Sequence, residues 1–212
     1  MAQKIRAHSI DIIKVIGYPS PPLHLPLSNT SKRYLRNSAE VVNRSAALHA
    51  VVACASGFDG RKGLAWLREN GVDEALTPDE KRLLLTADGH ESTLARDLET
   101  RIEGLWALCW ATTYVEKLDF CQYCGDNLVT IMPDVINKER LYEYRKRAKL
   151  RSAEEIMQME DLAYCLDWGI VESRKNNNPK PGLVRGYVIR ERRHALSWLL
   201  CDDRWDEVPT DT

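Results

Sequence analysis

Apolar positions in this chain recur mostly at helical spacing. Near the start, Ile10, Ile13 and Ile16 predict a helix over residues 4–16, ended by Gly17. The next stretch, YPSPPLHLP, holds four of the nine prolines and must be extended. A second helix is expected over 38–56, with Val41, Arg44, Leu48, Val51 and Ala55 on one face. Gly57 and Gly60 interrupt the pattern, and a short helix over 61–70 stops at Gly71. LTPDE then reads as a helix start: Thr77 as cap, Pro78 in the first turn, and Asp79 and Glu80 near the positive end. This helix is expected to reach about Ala87.

A long helix is predicted over about 91–115. Its second half, IEGLWALCWATTYV, is apolar on nearly all sides, which places it at the centre of the fold. DFCQYCGD (119–126) follows as a loop. Residues 127–137 lack a clear period; LVTIMPDVI fits a short strand, which Pro133 keeps from being long. Residues 138–151 read as a charged helix or linker. Ser152 and Glu155 form a capping-box pattern that opens a helix to about Asn176. NNNPKPG is a loop by composition, and a last helix is expected over 184–201 before an acidic tail, 202–212. No internal repeat or hairpin signal breaks this sequence of helices. The expected fold is all-α: one compact domain over 1–212, with six or seven helices around the 91–115 helix.

Composition narrows the function classes. Hydrophobic residues make up 44% of the 212, enough to bury a core, and charged residues 29%. The formal net charge is -1, so no global bias points to nucleic acid or anionic lipid. The richest apolar run, Ile102–Val115, falls short of the roughly 18 residues a span requires, and it contains Glu103. The basic N-terminus lacks the apolar run and cleavage site of a secretory signal. The expectation is therefore a cytoplasmic protein outside the membrane. A reducing compartment argues against a disulfide framework for the six cysteines. Four of them, Cys54, Cys109, Cys165 and Cys201, sit singly in apolar helical patterns, as small hydrophobes do.

Several phrases occur in a telling order: NRSAALHAVV (43–52), IEGLWALCWAT (102–112), SAEEIMQMEDLAYCLDWGI (152–170), ERRHALSWL (191–199) and WDEVPTDT (205–212). Together they resemble the bacterial domain-of-unknown-function 4272 family over essentially the whole chain. The resemblance implies a single helical domain and brings no activity, cofactor or substrate with it. The pair Cys121 and Cys124 departs from the family pattern.

Candidate chemistry comes from polar residues on apolar faces. Arg44 points where a core residue would, and an unpaired buried charge costs several kcal/mol, so it needs a carboxylate. Glu103 is the natural candidate and Asp161 the second. Arg192 lies beside Val188, Ala195 and Leu199, and Arg190, His194 and Trp198 form a stripe at helical spacing. Two arrangements fit. Glu103 or Asp161 serves as a base in a cleft where Arg44 and Arg192 hold an anion, or the same residues form a buried ion-pair network that fixes helix docking. The network is the favoured reading, because no nucleophile or metal set accompanies the charges. His194 has no second histidine three or four residues away, so no metal pair is present. Trp106 and Trp110 form a ridge that fits ordinary core packing better than a ligand pocket. Trp205 is expected to fold back and tie the tail down.

Cys121 and Cys124 have the spacing of half a zinc site, but such a site needs four ligands. A redox pair of the thioredoxin type would open a helix after a strand. Both thiols are therefore expected to be incidental, with no metal and no cofactor. The segment 138–151 carries seven Lys or Arg against two Glu, and the tail 202–212 carries five acids against one Arg. Arg145, Lys146 and Arg147, with Tyr142 and Tyr144 nearby, could bind single-stranded nucleic acid. A solvated helix face is the favoured alternative. The functional expectation is a non-enzymatic protein-interaction module that neutralises or regulates a protein partner. The alternatives are an enzyme or small-molecule sensor around Glu103, Asp161, Arg44 and Arg192, and nucleic-acid binding through 138–151.

Overall fold

The structure, a computed structural model, describes residues 2–22, 25–26, 34–86 and 92–209. The expected helix end near Ala87 and helix start at 91 lie outside these residues, as do 23 and 24 of the proline-rich stretch and the last three residues of the tail. The fold is all-helical, with no strand among the described residues. The helices are α1 (Ala2–Val15), α2 (Ser38–Ala55), α3 (Gly60–Glu69), α4 (Pro78–Leu85), α5 (Thr93–Glu99), α6 (Ile102–Ala111), α7 (Leu128–Ile131), α8 (Leu141–Arg147), α9 (Ala153–Lys175) and α10 (Gly186–Leu199). None is long and apolar enough to cross a membrane.

Local sequence explains most of the helix starts. Asn37 with Glu40, Thr77 with Glu80 and Ser152 with Glu155 each make a reciprocal capping box at α2, α4 and α9. Asp59 accepts from two backbone N–H groups at the start of α3.

The chain forms two compact units. The first comprises Met1–Arg36, Asp119–Tyr123 and Arg151–Thr212. Within it, α9 packs against both α1 and α10. Tyr18 is buried between Gly169 of α9 and Gly182 in the loop before α10. Gly182 has φ +77, and a Cβ there would fall 2.1 Å from the Tyr18 hydroxyl. Trp205 does fold back: its buried ring lies 5.4 Å from that of Trp198 and 4.6 Å from His194.

The second unit comprises Asn37–Leu118 and Cys124–Leu150. Here α2 contacts α3, α4, α5, α6 and α8. α2 is buried over most of its surface, and every residue of α6 from Glu103 to Ala111 is buried.

Two expectations need correction in this unit. The long 91–115 helix is two helices. At the break, Thr100 turns its hydroxyl back to the Asp97 carbonyl, and the Arg101 N–H bonds Leu98 three residues back. These tighter bonds end α5 before α6 starts. α6 then stops at Ala111, where Thr112 bonds back to Leu108 and Thr113 takes φ 64. Residues 128–131 form a single helical turn rather than a strand, closed by the Met132 N–H on the Leu128 carbonyl and followed by Pro133.

Candidate functional site

In the first unit a buried polar layer runs along α9. Its stripe Ile156, Glu160, Ala163, Asp167 and Ile170 follows core spacing but carries two acids, both buried. Asp161 lies beside it and is gripped by α1. The Arg6 guanidinium donates Nη2 to Oδ1 at 2.8 Å and Nε to Oδ2 at 3.1 Å, and the Ser9 hydroxyl donates to Oδ2 at 2.7 Å. Arg6 also reaches the Leu25 and Pro26 carbonyls. Burial works against the Arg6 charge, but the Asp161 bonds outweigh it and hold its pKa above the ordinary value. α10 closes the other side. Arg193 donates to Asp167 at 2.6 Å, its guanidinium lies 4.7 Å from the Tyr164 ring centroid, and Ser197 donates to Glu160 at 3.0 Å. Three buried acids of α9 are thus met by side chains from two neighbouring helices.

Arg192, fully buried on α10, has a different task. It donates to the backbone carbonyls of Asp119 and Gln122 at 2.6 and 3.0 Å, and lies 5.8 Å from the Phe120 ring centroid. It therefore holds the loop that carries Cys121. His194 sits on α10 with Nε2 2.9 Å from the Trp205 carbonyl, a contact that fixes the tail.

In the second unit Arg44 has a carboxylate partner, as its place on an apolar face requires. The carboxylate is Glu80 of α4, where Glu103 had been expected and Asp161 named second. Nη2 and Nη1 donate to Glu80 Oε1 and Oε2 at 2.5 and 2.8 Å, and Nη1 also reaches the Ala75 carbonyl. Burial alone would raise the Glu80 carboxyl, but the Arg44 charge overrides it and holds the pKa below the ordinary value. Glu103, 1% exposed, accepts the Cys124 N–H at 3.0 Å. Asp161 is engaged in the first unit with Arg6. Arg44, Glu103, Asp161 and Arg192 are all buried, but the pairing of the charges is not the one expected.

Arg6, Glu80, Asp167 and Arg193 were missed as network members. The signal was present for three of them. Asp167 falls on the α9 core stripe, Arg193 on the α10 stripe Ile189, Arg192, Arg193, Leu196, and Arg6 beside Ile5, Ser9 and Ile13, all buried. Glu80 gave no such signal, because an acid at the third position of a helix is explained by the capping box alone.

Burial holds five of the six thiols above their ordinary pKa. Burial pushes Cys109 and Cys165 up to about 12, and Cys54, Cys121 and Cys201 are also raised, chiefly by burial. Among the described residues no group of three or more His, Cys, Asp or Glu is placed to hold a metal ion. His49 is partly buried, with Nε2 3.1 Å from the Pro133 carbonyl, and desolvation lowers its pKa to about 4.

The basic segment is built into the second unit. Arg145 donates to the Asn43 side chain and the Asn70 carbonyl, and the Arg147 guanidinium lies 5.6 Å from the Tyr114 ring centroid. Lys146 is exposed. Tyr144 is buried and stacked on Tyr114 at 4.2 Å, whereas Tyr142 is 67% exposed.

No curated protein and no solved structure matches this chain. A family model, described as a domain of unknown function (DUF4272), matches residues 5–208 of the 212. That match takes in the capping boxes, the α9 acids and the arginines that meet them, so the chain belongs to the DUF4272 family.

Proposed function

We propose that this protein is a non-enzymatic protein-interaction module of the bacterial cytoplasm, one that neutralises or regulates a partner protein. The observation that carries this reading is how the buried charges are used. Arg44 with Glu80, Arg6 with Asp161 and Arg193 with Asp167 are ion pairs, and Arg192 serves two carbonyls. Such groups fix how helices dock, and each is 9% exposed or less. The raised thiols and the partly buried His49, whose pKa is lowered to about 4, are poorly suited to nucleophilic or acid–base work near neutral pH. The surface instead offers large apolar side chains, among them Val129, Ile136, Tyr142 and Leu183.

The enzyme-or-sensor alternative draws on Glu103, Asp161, Arg44 and Arg192. Their enclosure, at 2% exposure or less, argues against a substrate reaching them. The test is capture of the tagged protein's partner from its native cells under gentle conditions, followed by reconstitution from two purified components. A stoichiometric complex in sedimentation is the expected result. Failure to reconstitute any complex, or turnover of a small molecule by the purified protein alone, overturns the reading.

A further inference from the structure

α8 and the residues beside it form a cationic surface whose three arginines are held in place by neutral groups. Six Lys or Arg lie in 138–150 against Glu139 and Glu143. Lys138 is paired with Glu69 at 3.3 Å. The three arginines rest on neutral groups: Arg140 on the Glu69 carbonyl, Arg145 on Asn43 and the Asn70 carbonyl, and Arg147 over the Tyr114 ring. Such contacts immobilise a guanidinium and leave its charge uncancelled. Lys146 and Lys149 are exposed and have no side-chain partner among the described residues. The backbone at Lys149 is anchored by its N–H on the Thr112 carbonyl.

Leu141 and Tyr144 are the buried side of α8, so Tyr142 and Lys146, one turn apart, share its outer side. An exposed aromatic ring amid held arginines and exposed lysines suits an anionic partner that also brings apolar atoms.

Resting on the interaction reading above, we propose that this surface docks an acidic segment of a partner protein, with carboxylates toward Arg140, Arg145, Lys146, Arg147 and Lys149 and an apolar side chain over Tyr142. A protein segment fits better than single-stranded nucleic acid. Successive bases need successive exposed rings, and Tyr144 is buried in its stack on Tyr114, leaving Tyr142. Val129 and Ile136, each 76% exposed in the same unit, add apolar surface of the kind a protein partner covers.

The probe is a fluorescein-labelled peptide rich in glutamate with interspersed leucines, titrated with the full chain in low salt. Binding should weaken as salt rises, because screening shortens the reach of exposed charges. K146E together with K149E should weaken it by about tenfold or more, and Tyr142→Ala by a smaller factor. Neither lysine side chain has a hydrogen-bond or ion-pair partner among the described residues, so the melting temperature should be little changed. Lack of peptide binding in low salt overturns the proposal, as does equal binding by the double variant. Tighter salt-dependent binding of an oligothymidylate than of the peptide would make this a nucleic-acid surface. Self-association of the wild type that the double variant abolishes would make a second copy the occupant; either result overturns the proposal. A native partner captured equally by wild type and K146E/K149E would leave the interaction reading standing and remove this surface from it.

Discussion

Removing the Arg44 side chain tests whether buried charge is architecture in this fold. Arg44→Ala deletes, among its bonds, two to Glu80 at 2.5 and 2.8 Å and one to the Ala75 carbonyl at 2.6 Å. Glu80, 0% exposed, then keeps its bond from the Thr77 N–H at 2.9 Å but loses its guanidinium. Breaking a buried pair from one side costs about 3–5 kcal/mol, since the remaining charge loses its ion-pair partner. The loss should appear as weakened hydrogen-exchange protection of the α2 amides and a lower urea midpoint at neutral pH. Arg44→Met with Glu80→Leu removes both charges and fills the space. Its deficit should be smaller than that of Arg44→Ala, although it also forfeits the Glu80 half of the α4 capping box, worth about 1 kcal/mol.

The pH dependence of that pair has a definite sign. In the wild type the folded Glu80 pKa lies below the unfolded value of about 4.3, so the pair's contribution is complete above that pH and is lost as pH falls through the depressed folded value. In Arg44→Ala the carboxyl should instead rise, and the deficit relative to wild type should shrink in acid. An Arg44→Ala protein within about 1 kcal/mol of wild type, or a double variant less stable than the single one, would refute this account of the pair.

His49 titrates near 6.5 when unfolded and at about 4 when folded, so stability should fall by up to about 3 kcal/mol as pH drops through that window. Replacing it with Gln should flatten this part of a stability-against-pH curve. The Tyr18 hydroxyl is buried without a hydrogen-bond partner among the described residues, so Tyr18→Phe should leave the urea midpoint unchanged or raise it slightly. Gly182→Ala should lower the midpoint clearly, because φ +77 and the Tyr18 hydroxyl both oppose a Cβ. Cys121→Ser with Cys124→Ser should be close to neutral in thermal melts; bound zinc in the wild type, or loss of folding in the variant, would reverse that expectation.

Helical periodicity and cap chemistry were enough to predict an all-α fold class, because both act within a few residues; the turn at 128–131, too short to show a period, instead fitted a strand. Thr77 and Ser152 mark their helix starts by hydrogen bonds within three residues. The need of Arg44 for a buried carboxylate was equally legible, since its face is set by 3.6-residue spacing and its charge by chemistry. Which carboxylate answers that need was decided by tertiary structure. Glu80 looked complete as a capping residue, and nothing local says that α4 brings its first turn against α2. The break at Thr100 likewise turns on a few hydrogen bonds that compete closely with helix continuation. Sequence fixes which residues cannot stand alone in a core; packing between distant segments chooses their partners, because ion pairing and burial depend on where whole helices meet.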